Sequence, residues 1–91
     1  MYENIFIKKY PSIDIHGEIA ATADIIIKTF IDDNYKLKNE HIVVIHGIGR
    51  GILKSKTHEI LAKDKRILSY KLDEWNLGCT IIQLKFDKFG Q

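Results

Sequence analysis

Asp14 and His16 are the first residues of the chain whose types and spacing suit proton transfer, within the stretch IDIHG at residues 13–17. Alternation of apolar and polar residues predicts a short strand over 13–16, and its period of two places both polar side chains on one face. Histidine has an ordinary pKa of about 6.5, so it can accept a proton from a nucleophile or donate one to a leaving oxygen. Asp14 could orient His16 or act as the base itself. The simpler alternative is an aspartate that organises the turn at Gly17 beside a half-buried histidine.

The stretch VVIHGIGRGILK, residues 43–54, has the composition of an anion site. Half of the six glycines in the chain fall within it at every second position, and Arg50 lies between the last two. These glycines are Gly47, Gly49 and Gly51. Glycine permits positive φ and lets backbone N–H groups approach an anion, and the free N–H groups at the start of a following helix add partial positive charge. A strand, a glycine-rich turn and a helix in this order predict a loop that binds phosphate.

The common phosphate-binding motifs do not fit this loop. A Walker A loop would need a glycine at position 52 or 53, and those residues are Ile52 and Leu53. The dinucleotide fingerprint G-x-G-x-x-G, counted from Gly47, also needs a glycine where Ile52 stands. What remains is a general phosphate-binding loop, with a tight connection between strand and helix as the structural alternative. Three alternating glycines are more than such a connection needs, which favours the functional interpretation.

Four strands and two helices are predicted to position these residues. The strands are expected at 13–16, 41–46, 67–73 and 79–86, and the helices at 19–35 and 52–64. The stretch HIVVIH at 41–46 is nearly continuously apolar, which is typical of a central strand covered on both faces and at least partly parallel to its neighbours. The last two strands are expected to be antiparallel. The order βαβαββ predicts an α/β fold, a two-layer sandwich with a mixed sheet and both helices on one face.

Parallel pairing of the first two strands would bring the chemistry together. Asp14 and His16 close the first predicted strand, and His46 and the glycine loop follow the second. Ligands of open α/β sheets collect at the carboxyl ends of parallel strands. We therefore expect a phosphate-binding loop beside an acid–base pair at one edge of the sheet.

Length and composition predict one small domain of the cytoplasm. The chain has 91 residues, and its hydrophobic content of 45% is ordinary for a globular fold. The single cysteine, Cys79, cannot form an internal disulfide, which suits a reducing compartment, and it is expected to be buried. No signal-peptide pattern or long apolar run is evident, so neither secretion nor a membrane span is expected. The domain is predicted at 13–91, after an N-terminal extension or edge strand at 1–12.

Positive charge begins within the glycine loop. Residues 50–66 carry six Lys or Arg against two Asp or Glu, a balance of +4, whereas the whole chain has a formal net charge of +2. Arg50 and Lys54 are the basic residues expected nearest the loop. A basic patch of this kind is a footprint for phosphates, and a solvated lysine-rich helix face has the same composition.

Three stretches together resemble the small MutS-related (Smr) domain family: IDIHG at 13–17, VVIHGIGRG at 43–51 and TIIQLK at 80–85. They are similar to the family's LDLHG-like strand end and its glycine loop of HGKGTG or TGxG type, in the same order, from Ile13 to Lys85. The resemblance implies a free-standing bacterial-type Smr protein with a βαβαββ fold similar to the C-terminal domain of translation initiation factor three. It also implies nuclease chemistry, because several Smr domains nick DNA or cut messenger RNA.

Carried onto this sequence, the resemblance implies that Asp14 and His16 are catalytic. The resemblance also implies that His46, Gly47 and Gly49 belong to a substrate-binding loop. The nearby basic residues are added to this predicted site. The predicted phosphate-binding set is His46, Gly47, Gly49, Arg50, Gly51 and Lys54. One position departs from the family pattern, because many active relatives carry Lys or Arg between the first two glycines, where this chain has Ile48. Arg50 and Lys54 are the candidate substitutes for that charge.

The favoured hypothesis is a small endonuclease that cleaves RNA, or nicks DNA, by acid–base chemistry. Nucleic acid and the ribosome are the expected partners, and a monomer or weak dimer is expected. The alternatives are a non-catalytic module that binds nucleic acid or a ribosomal surface, and a protein-interaction domain that has lost the chemistry. The presence of Asp14 and His16 favours the enzyme, whereas Ile48 favours the binding modules.

Other candidate residues have weaker signals. The four histidines show no tight metal-ligand spacing, so no metal is assigned and a divalent cation stays open as a cofactor. His58 is expected to be exposed beside Lys54 on the basic face of the second helix. Trp75 could stack on a base, but it is expected to cover the open edge of the small core.

Overall fold

A computed structural model describes residues 10–86 and confirms the predicted order of elements. Residues 1–9 and 87–91 lie outside the described part, and so does most of the predicted extension at 1–12. The strands are β1 (Ser12–Asp14), β2 (His41–Ile45), β3 (Ile67–Leu72) and β4 (Cys79–Leu84). The helices are α1 (Ala20–Lys36) and α2 (Ile52–Lys63).

The four strands form one mixed sheet in the order β1-β2-β4-β3. β1 pairs in parallel with β2, with Ile13 opposite Val44, whereas β2 with β4 and β4 with β3 are antiparallel. The parallel pairing continues one residue beyond β1, because the N–H of Ile15 donates to the carbonyl of Ile45 at 2.8 Å. The predicted mixed sheet and the antiparallel last pair are confirmed. The ends of β1 and β2 therefore lie at the same edge.

Both helices cover one face of the sheet. Alternate residues of β2 and β4 point to that face, and Ile42, Val44 and Ile82 are fully buried there. They form one cluster with buried residues of the two helices, which are Ala23, Ile27, Ile31, Ile60 and Leu61. The helices also contact each other, so the fold is the predicted two-layer sandwich. Neither helix within residues 10–86 is long and apolar enough to span a membrane.

β1 is followed by a tight turn. The predicted strand extended to His16, but β1 ends two residues earlier, and the N–H of Glu18 donates to the carbonyl of Ile15 at 3.1 Å. Gly17 has a φ of +87°, which glycine adopts without strain. α1 begins one residue later than predicted, with Ile19 as an exposed N-cap. The turn leaves His16 on the surface at the carboxyl end of the sheet.

The loop between β3 and β4 corrects one prediction. Cys79, at the start of β4, is buried as predicted, and burial raises the pKa of its thiol. The prediction for Trp75 was wrong, because its side chain is 76% exposed and covers no core. The N–H of Trp75 donates to the Asp73 carboxylate at 3.1 Å, and the N–H of Gly78 donates to the Asn76 side chain at 3.0 Å. These local bonds order the loop while the Trp75 side chain stays exposed.

Candidate functional site

Asp14 and His16 form a directly hydrogen-bonded pair where β1 ends. The Nδ1 of His16 lies 2.6 Å from Oδ1 of Asp14, and the same oxygen accepts the backbone N–H of His16 at 3.0 Å. These two bonds fix the ring, and Nε2 lies on the side away from the carboxylate. The His16 and Asp14 side chains are 69% and 51% exposed. The imidazole is therefore oriented by a neighbour and accessible from outside.

The pair shifts the pKa of both groups. The hydrogen bond to Asp14 raises the pKa of His16 above its ordinary value of 6.5, and the negative charge of the carboxylate adds to this. The hydrogen bonds to His16 lower the pKa of Asp14 below its usual range. Asp14 is therefore a carboxylate at neutral pH, and His16 is a stronger base than a free imidazole. Such a group suits proton transfer during a reaction.

The glycine loop, residues 47–51, lies against His16. A Cβ added to Gly47 would be 3.3 Å from the Cβ of His16. The two segments border an open pocket of about 640 Å³. The whole predicted phosphate-binding set lies on its lining, namely His46, Gly47, Gly49, Arg50, Gly51 and Lys54. Parallel pairing of β1 and β2 thus brings His16 and the glycine loop together at one pocket. Asp14 does not line the pocket, but it is hydrogen-bonded to His16.

The backbone of the glycine loop alternates in the sign of φ. Gly47, Gly49 and Gly51 have φ values of +83°, +29° and +82°. The one non-glycine residue with positive φ within residues 10–86 is Lys38, so the residues between the glycines have negative φ. Alternating signs of φ are a feature of nests, in which successive N–H groups surround an anion. Glycine is required at each of the three positions because a side chain there would be strained.

The N–H groups available to a ligand begin after Gly47. The N–H of Gly47 donates to the carbonyl of Gly78 at 3.0 Å, so it is already occupied. From residue 48 to residue 54, no N–H donates to another backbone group within the described chain at ordinary hydrogen-bond geometry. The free N–H groups were predicted around Gly47, but the structure provides them from residue 48 onward.

The starts of both helices border the same pocket. Ile19 and Ala20 at the start of α1 and residues 52–54 at the start of α2 all line it. Neither N-cap residue, Ile19 or Gly51, forms a side-chain cap hydrogen bond, and neither first turn contains an acidic residue. A helix start carries a partial charge of about +0.5 and is normally compensated by a cap or an acid. Two uncompensated helix starts give the pocket positive potential, and Glu18 is the one carboxylate on its lining.

Arg50 and Lys54 add full positive charges at the pocket. Neither forms an ion pair with any residue of the described chain, 10–86. Lys54 lies in the first turn of α2, where its positive charge is repelled by the positive end of the helix dipole. A bound anion would offset this repulsion. Ile48, 70% exposed, lies between the first two glycines and contributes no charge.

A buried hydrogen-bond chain behind the loop was not predicted from the sequence. His46 is 4% exposed, its Nδ1 lies 2.8 Å from the carbonyl of Gly47, and its Nε2 lies 2.8 Å from Oγ1 of Thr80. The same hydroxyl lies 2.8 Å from Nε2 of His58. Because a carbonyl only accepts, Nδ1 of His46 donates to it, in the tautomer that leaves Nε2 as an acceptor. Thr80 then donates to His46 and accepts from His58.

The hydrogen bonds that join His46, Thr80 and His58 change the roles expected of the two histidines. Both ring nitrogens of His46 are engaged, so its side chain fixes the Gly47 carbonyl and presents no free donor to the pocket. His58 was expected to be exposed, but it is half-buried against Thr80, and burial lowers its pKa. Thr80 lies 34 and 22 residues from its two partners, and no local pattern could have signalled this contact.

The candidate site offers few metal ligands among the described residues. Within residues 10–86, no three His, Cys, Asp and Glu side chains come together in a way that could hold a metal ion. The Asp14–His16 pair offers one carboxylate and one imidazole. A divalent cation there would take its remaining ligands from water or substrate.

Comparison with known proteins identifies a family and related sequences. The Smr domain family model matches residues 13–85. The Endonuclease MutS2 of Thermotoga maritima is 38% identical over 76 residues, and that of Halothermothrix orenii is 35% identical over 78 residues. The matches cover 80% and 82% of this chain but 10% of each relative. The chain therefore spans about a tenth of the length of the curated relatives it matches.

Two solved structures share the fold. The crystal structure of the Smr domain of Thermus thermophilus MutS2 matches with a TM-score of 0.80 at 25% identity, over 84% of this chain and 99% of that domain. YdaL, a stand-alone small MutS-related protein from Escherichia coli, matches with a TM-score of 0.81 over 86% of this chain and 69% of that protein. At 19% identity, the second match speaks for the fold alone.

Proposed function

Since the chain belongs to the Smr domain family, we propose that it is a small endonuclease that binds nucleic acid and cleaves its phosphodiester bonds, preferring RNA to DNA. The observation that carries this proposal is the contact between His16 and Gly47. It joins an oriented acid–base group to a loop with the geometry of an anion site. The similarity to MutS2 endonucleases supports the class of reaction.

The phosphate is proposed to bind at the glycine loop. N–H groups from residue 48 onward and the uncapped start of α2 would contact its non-bridging oxygens. Arg50 and Lys54 would neutralise its charge. Charge on these oxygens grows as phosphorus becomes five-coordinate, so fixed donors stabilise the transition state more than the bound substrate. His46 acts as a positioning residue, because it holds the Gly47 carbonyl from behind.

The proposed reaction on RNA needs one proton acceptor and one proton donor. Nε2 of His16 accepts the proton of a 2′-hydroxyl while that oxygen forms a bond to phosphorus. The bond from phosphorus to the 5′-oxygen of the next nucleotide breaks, and that oxygen leaves with a proton from the imidazolium or from water. The products are a 2′,3′-cyclic phosphate and a 5′-hydroxyl. Asp14 is already bonded to His16, which favours its orienting role over the role of base.

The preference for RNA rests on the source of the nucleophile. RNA carries its own attacking hydroxyl, whereas cleavage of DNA requires a bound and activated water. The site has one exposed imidazole paired with one carboxylate. These two groups suit deprotonation of a 2′-hydroxyl better than binding and activation of a water. Free RNA or RNA on the ribosome would both present this hydroxyl.

A second candidate function is a non-catalytic module that binds nucleic acid or a ribosomal surface. The observation in its favour is Ile48, which is exposed between the first two glycines, where many active relatives carry a basic residue. Without that charge the loop could hold a phosphate while stabilising the transition state less. Binding without turnover is the result that would distinguish this function.

The test is a cleavage assay on end-labelled single-stranded RNA and DNA of matched sequence, with and without Mg²⁺ or Mn²⁺. The parent is compared with Asp14→Asn and His16→Ala. His41→Ala is the matched control, because this histidine stacks on Tyr10 and is not part of the pocket lining. We expect the parent and the control to cleave RNA, and each site variant to lose at least about a hundredfold in rate.

Each other outcome has a definite meaning. Cleavage that survives in both site variants would identify a contaminating nuclease and remove the catalytic assignment. Binding of both polymers without cleavage by the parent would support the non-catalytic module. Absence of both binding and cleavage would contradict the proposed function as a whole.

A further inference from the structure

Exposed apolar side chains concentrate around the candidate site. Eight large apolar residues are exposed within residues 10–86. Three of them, Ile19, Ile48 and Ile52, line the pocket at the glycine loop. Two more, Trp75 and Leu77, belong to the loop between β3 and β4. Clusters of exposed apolar groups mark binding surfaces more often than isolated ones do.

The loop that carries Trp75 is bonded directly to the glycine loop. The carbonyl of Gly78 accepts the N–H groups of His46 at 2.8 Å and Gly47 at 3.0 Å. A Cβ added to Gly78 would lie 3.3 Å from the Cα of Gly47, so the two backbones are in van der Waals contact. Trp75 is three residues from Gly78, so their Cα atoms are within about 11 Å of each other. The backbone of Trp75 is therefore within about 11 Å of a residue that contacts the glycine loop directly.

The same loop holds Trp75 away from the protein core. Its N–H is bonded to the Asp73 carboxylate, and Asp73 is itself buried. The N–H of Asn76 donates to the carbonyl of Asp73 at 3.3 Å, and the N–H of Cys79 donates to the carbonyl of Asn76 at 3.0 Å. Because these bonds already order the backbone of the loop, it loses little backbone freedom when Trp75 binds a ligand.

We infer that Trp75 stacks on an unpaired base next to the phosphate held by the glycine loop, so that the substrate class is single-stranded nucleic acid. This inference rests on the proposed function. Aromatic side chains bind single strands by stacking, whereas bases inside a duplex have their faces covered. Ile48 would add an apolar contact to a neighbouring base in place of the basic residue found in many relatives.

The charge around Trp75 favours a base over a phosphate as its ligand. Glu74 is exposed directly beside it, and no basic residue lies between positions 72 and 78. A phosphate would be repelled by this carboxylate, whereas the face of a neutral base would not. The glycine loop is therefore suited to a backbone phosphate, and the loop between β3 and β4 is suited to a base.

Trp75 provides its own signal, because it is the one tryptophan in the chain. The probes are a fluorescein-labelled 2′-O-methyl RNA strand, the same strand as a blunt duplex, and an abasic strand of equal length. The 2′-O-methyl groups prevent cleavage through the 2′-hydroxyl. We expect the single strand to quench Trp75 fluorescence on binding, and the duplex and the abasic strand to leave it unchanged.

Variants then link the signal to affinity, measured by anisotropy of the labelled strands. Trp75→Ala is expected to lose about five- to 150-fold in affinity for the single strand, the range for one stacked base, with duplex binding unchanged. Trp75→Phe should restore most of the loss. Leu68→Ala, an exposed apolar residue of β3, is the control and should bind as the parent does. Circular dichroism checks that each variant is folded.

The outcomes separate this inference from the function on which it rests. If Trp75→Ala binds the single strand as tightly as the parent, the inference is overturned, and the exposed loop becomes a candidate contact for a protein. If the abasic strand quenches as strongly as the intact strand, stacking is also excluded. If the parent binds none of the three probes, the proposed function fails together with the inference.

Discussion

The chain has two basic regions that differ in how their charges are compensated. The first is the glycine-loop pocket, where Arg50 and Lys54 have no ion-pair partner within residues 10–86. The second, the helix groove, is a pocket of about 550 Å³ at the other end of α2. Its lining is Asp24, Lys28, Lys56, Glu59, Ile60, Lys63, Asp64, Lys65 and Arg66.

Most cations of the helix groove are paired. Lys63 lies 3.5 Å from Glu59, and Lys56 lies 3.8 Å from both Asp24 and Glu59. A phosphate entering this groove would have to displace a carboxylate, whereas at the glycine loop it would meet backbone donors and unpaired cations. The excess of positive charge over residues 50–66 therefore does not form a single footprint for phosphate. From this comparison we expect ion pairing, more than net charge, to decide where an anion binds.

The largest expected effect tests this comparison directly, with two matched double variants. Arg50→Ala with Lys54→Ala should weaken binding of single-stranded RNA at least about tenfold at low salt. The log–log salt slope should become shallower by about 1.4, because each lost phosphate contact contributes about 0.7 on a single strand. Lys56→Ala with Lys63→Ala, which removes two cations of the helix groove, should leave both quantities nearly unchanged. Fluorescence anisotropy from 50 to 300 mM salt gives both values, and equal losses in the two variants would contradict the comparison.

The next largest effect concerns the geometry of the glycine loop. Gly47→Ala should destabilise the fold by about 1–2 kcal/mol, because its φ of +83° is unfavourable for alanine. The new methyl group would also press on the Cβ of His16 at 3.3 Å, and cleavage should fall with it. Gly49→Ala is the control, because a Cβ there meets nothing within 4 Å, so its effect should come from φ alone. Urea unfolding and the cleavage rate should separate the two variants, and equal cleavage by both would contradict the role given to this contact.

A smaller effect is expected from the helix groove, on stability alone. Arg66 donates to Asp64 at 2.9 Å and to Asp32 at 3.2 Å, and its guanidinium lies 5.5 Å from the ring centroid of Tyr35. Arg66→Ala should therefore cost about 1 kcal/mol in the free energy of unfolding. RNA binding should stay at the parent level. A loss of affinity in this variant without a loss of stability would show that the helix groove takes part in binding.

The smallest expected effect is a shift in pH dependence. Asp14 raises the pKa of His16, so Asp14→Asn should lower that pKa toward the ordinary imidazole value. If neutral His16 is the base, the rate rises as pH increases through this pKa, and residual cleavage by the variant should begin to rise at lower pH. NMR titration of the imidazole protons follows His16, with His58 as an internal control whose lowered pKa comes first from burial. An unchanged His16 titration in the variant would contradict the assigned cause.

The sequence predicted the fold well because its signals were local. Alternation around Ile13, the apolar run of β2 and the strand signals of β3 and β4 each depend on neighbouring residues, and the mixed sheet is confirmed. The period of two predicted that Asp14 and His16 would lie together, but β1 ends at Asp14 and their contact is made in the turn, where the carboxylate also accepts the backbone N–H of His16. The roles of these residues in binding and catalysis stay predictions.

What the sequence did not reveal depends on contacts between distant elements. Thr80 meets His46 and His58 only because β2, β4 and α2 pack together. Lys56 of α2 forms an ion pair with Asp24 of α1, and a count of charges along the sequence cannot predict this pairing. Trp75 is exposed because buried Asp73 holds its backbone, a detail of one turn. Tertiary packing therefore decided the environment of Thr80 and Lys56, whereas a local side chain-to-backbone bond decided that of Trp75.

The uncapped starts of α1 and α2 link the melting temperature of the protein to its ligand. An anion that binds these N–H groups binds the folded chain and not the unfolded one. At a free concentration one hundred times its Kd, such a ligand stabilises the folded state by about 2.7 kcal/mol. For a domain of this size, each kcal/mol raises Tm by roughly 4–8 °C. If the proposed substrate binds at these helix starts, its concentration should also set the thermal stability of the protein.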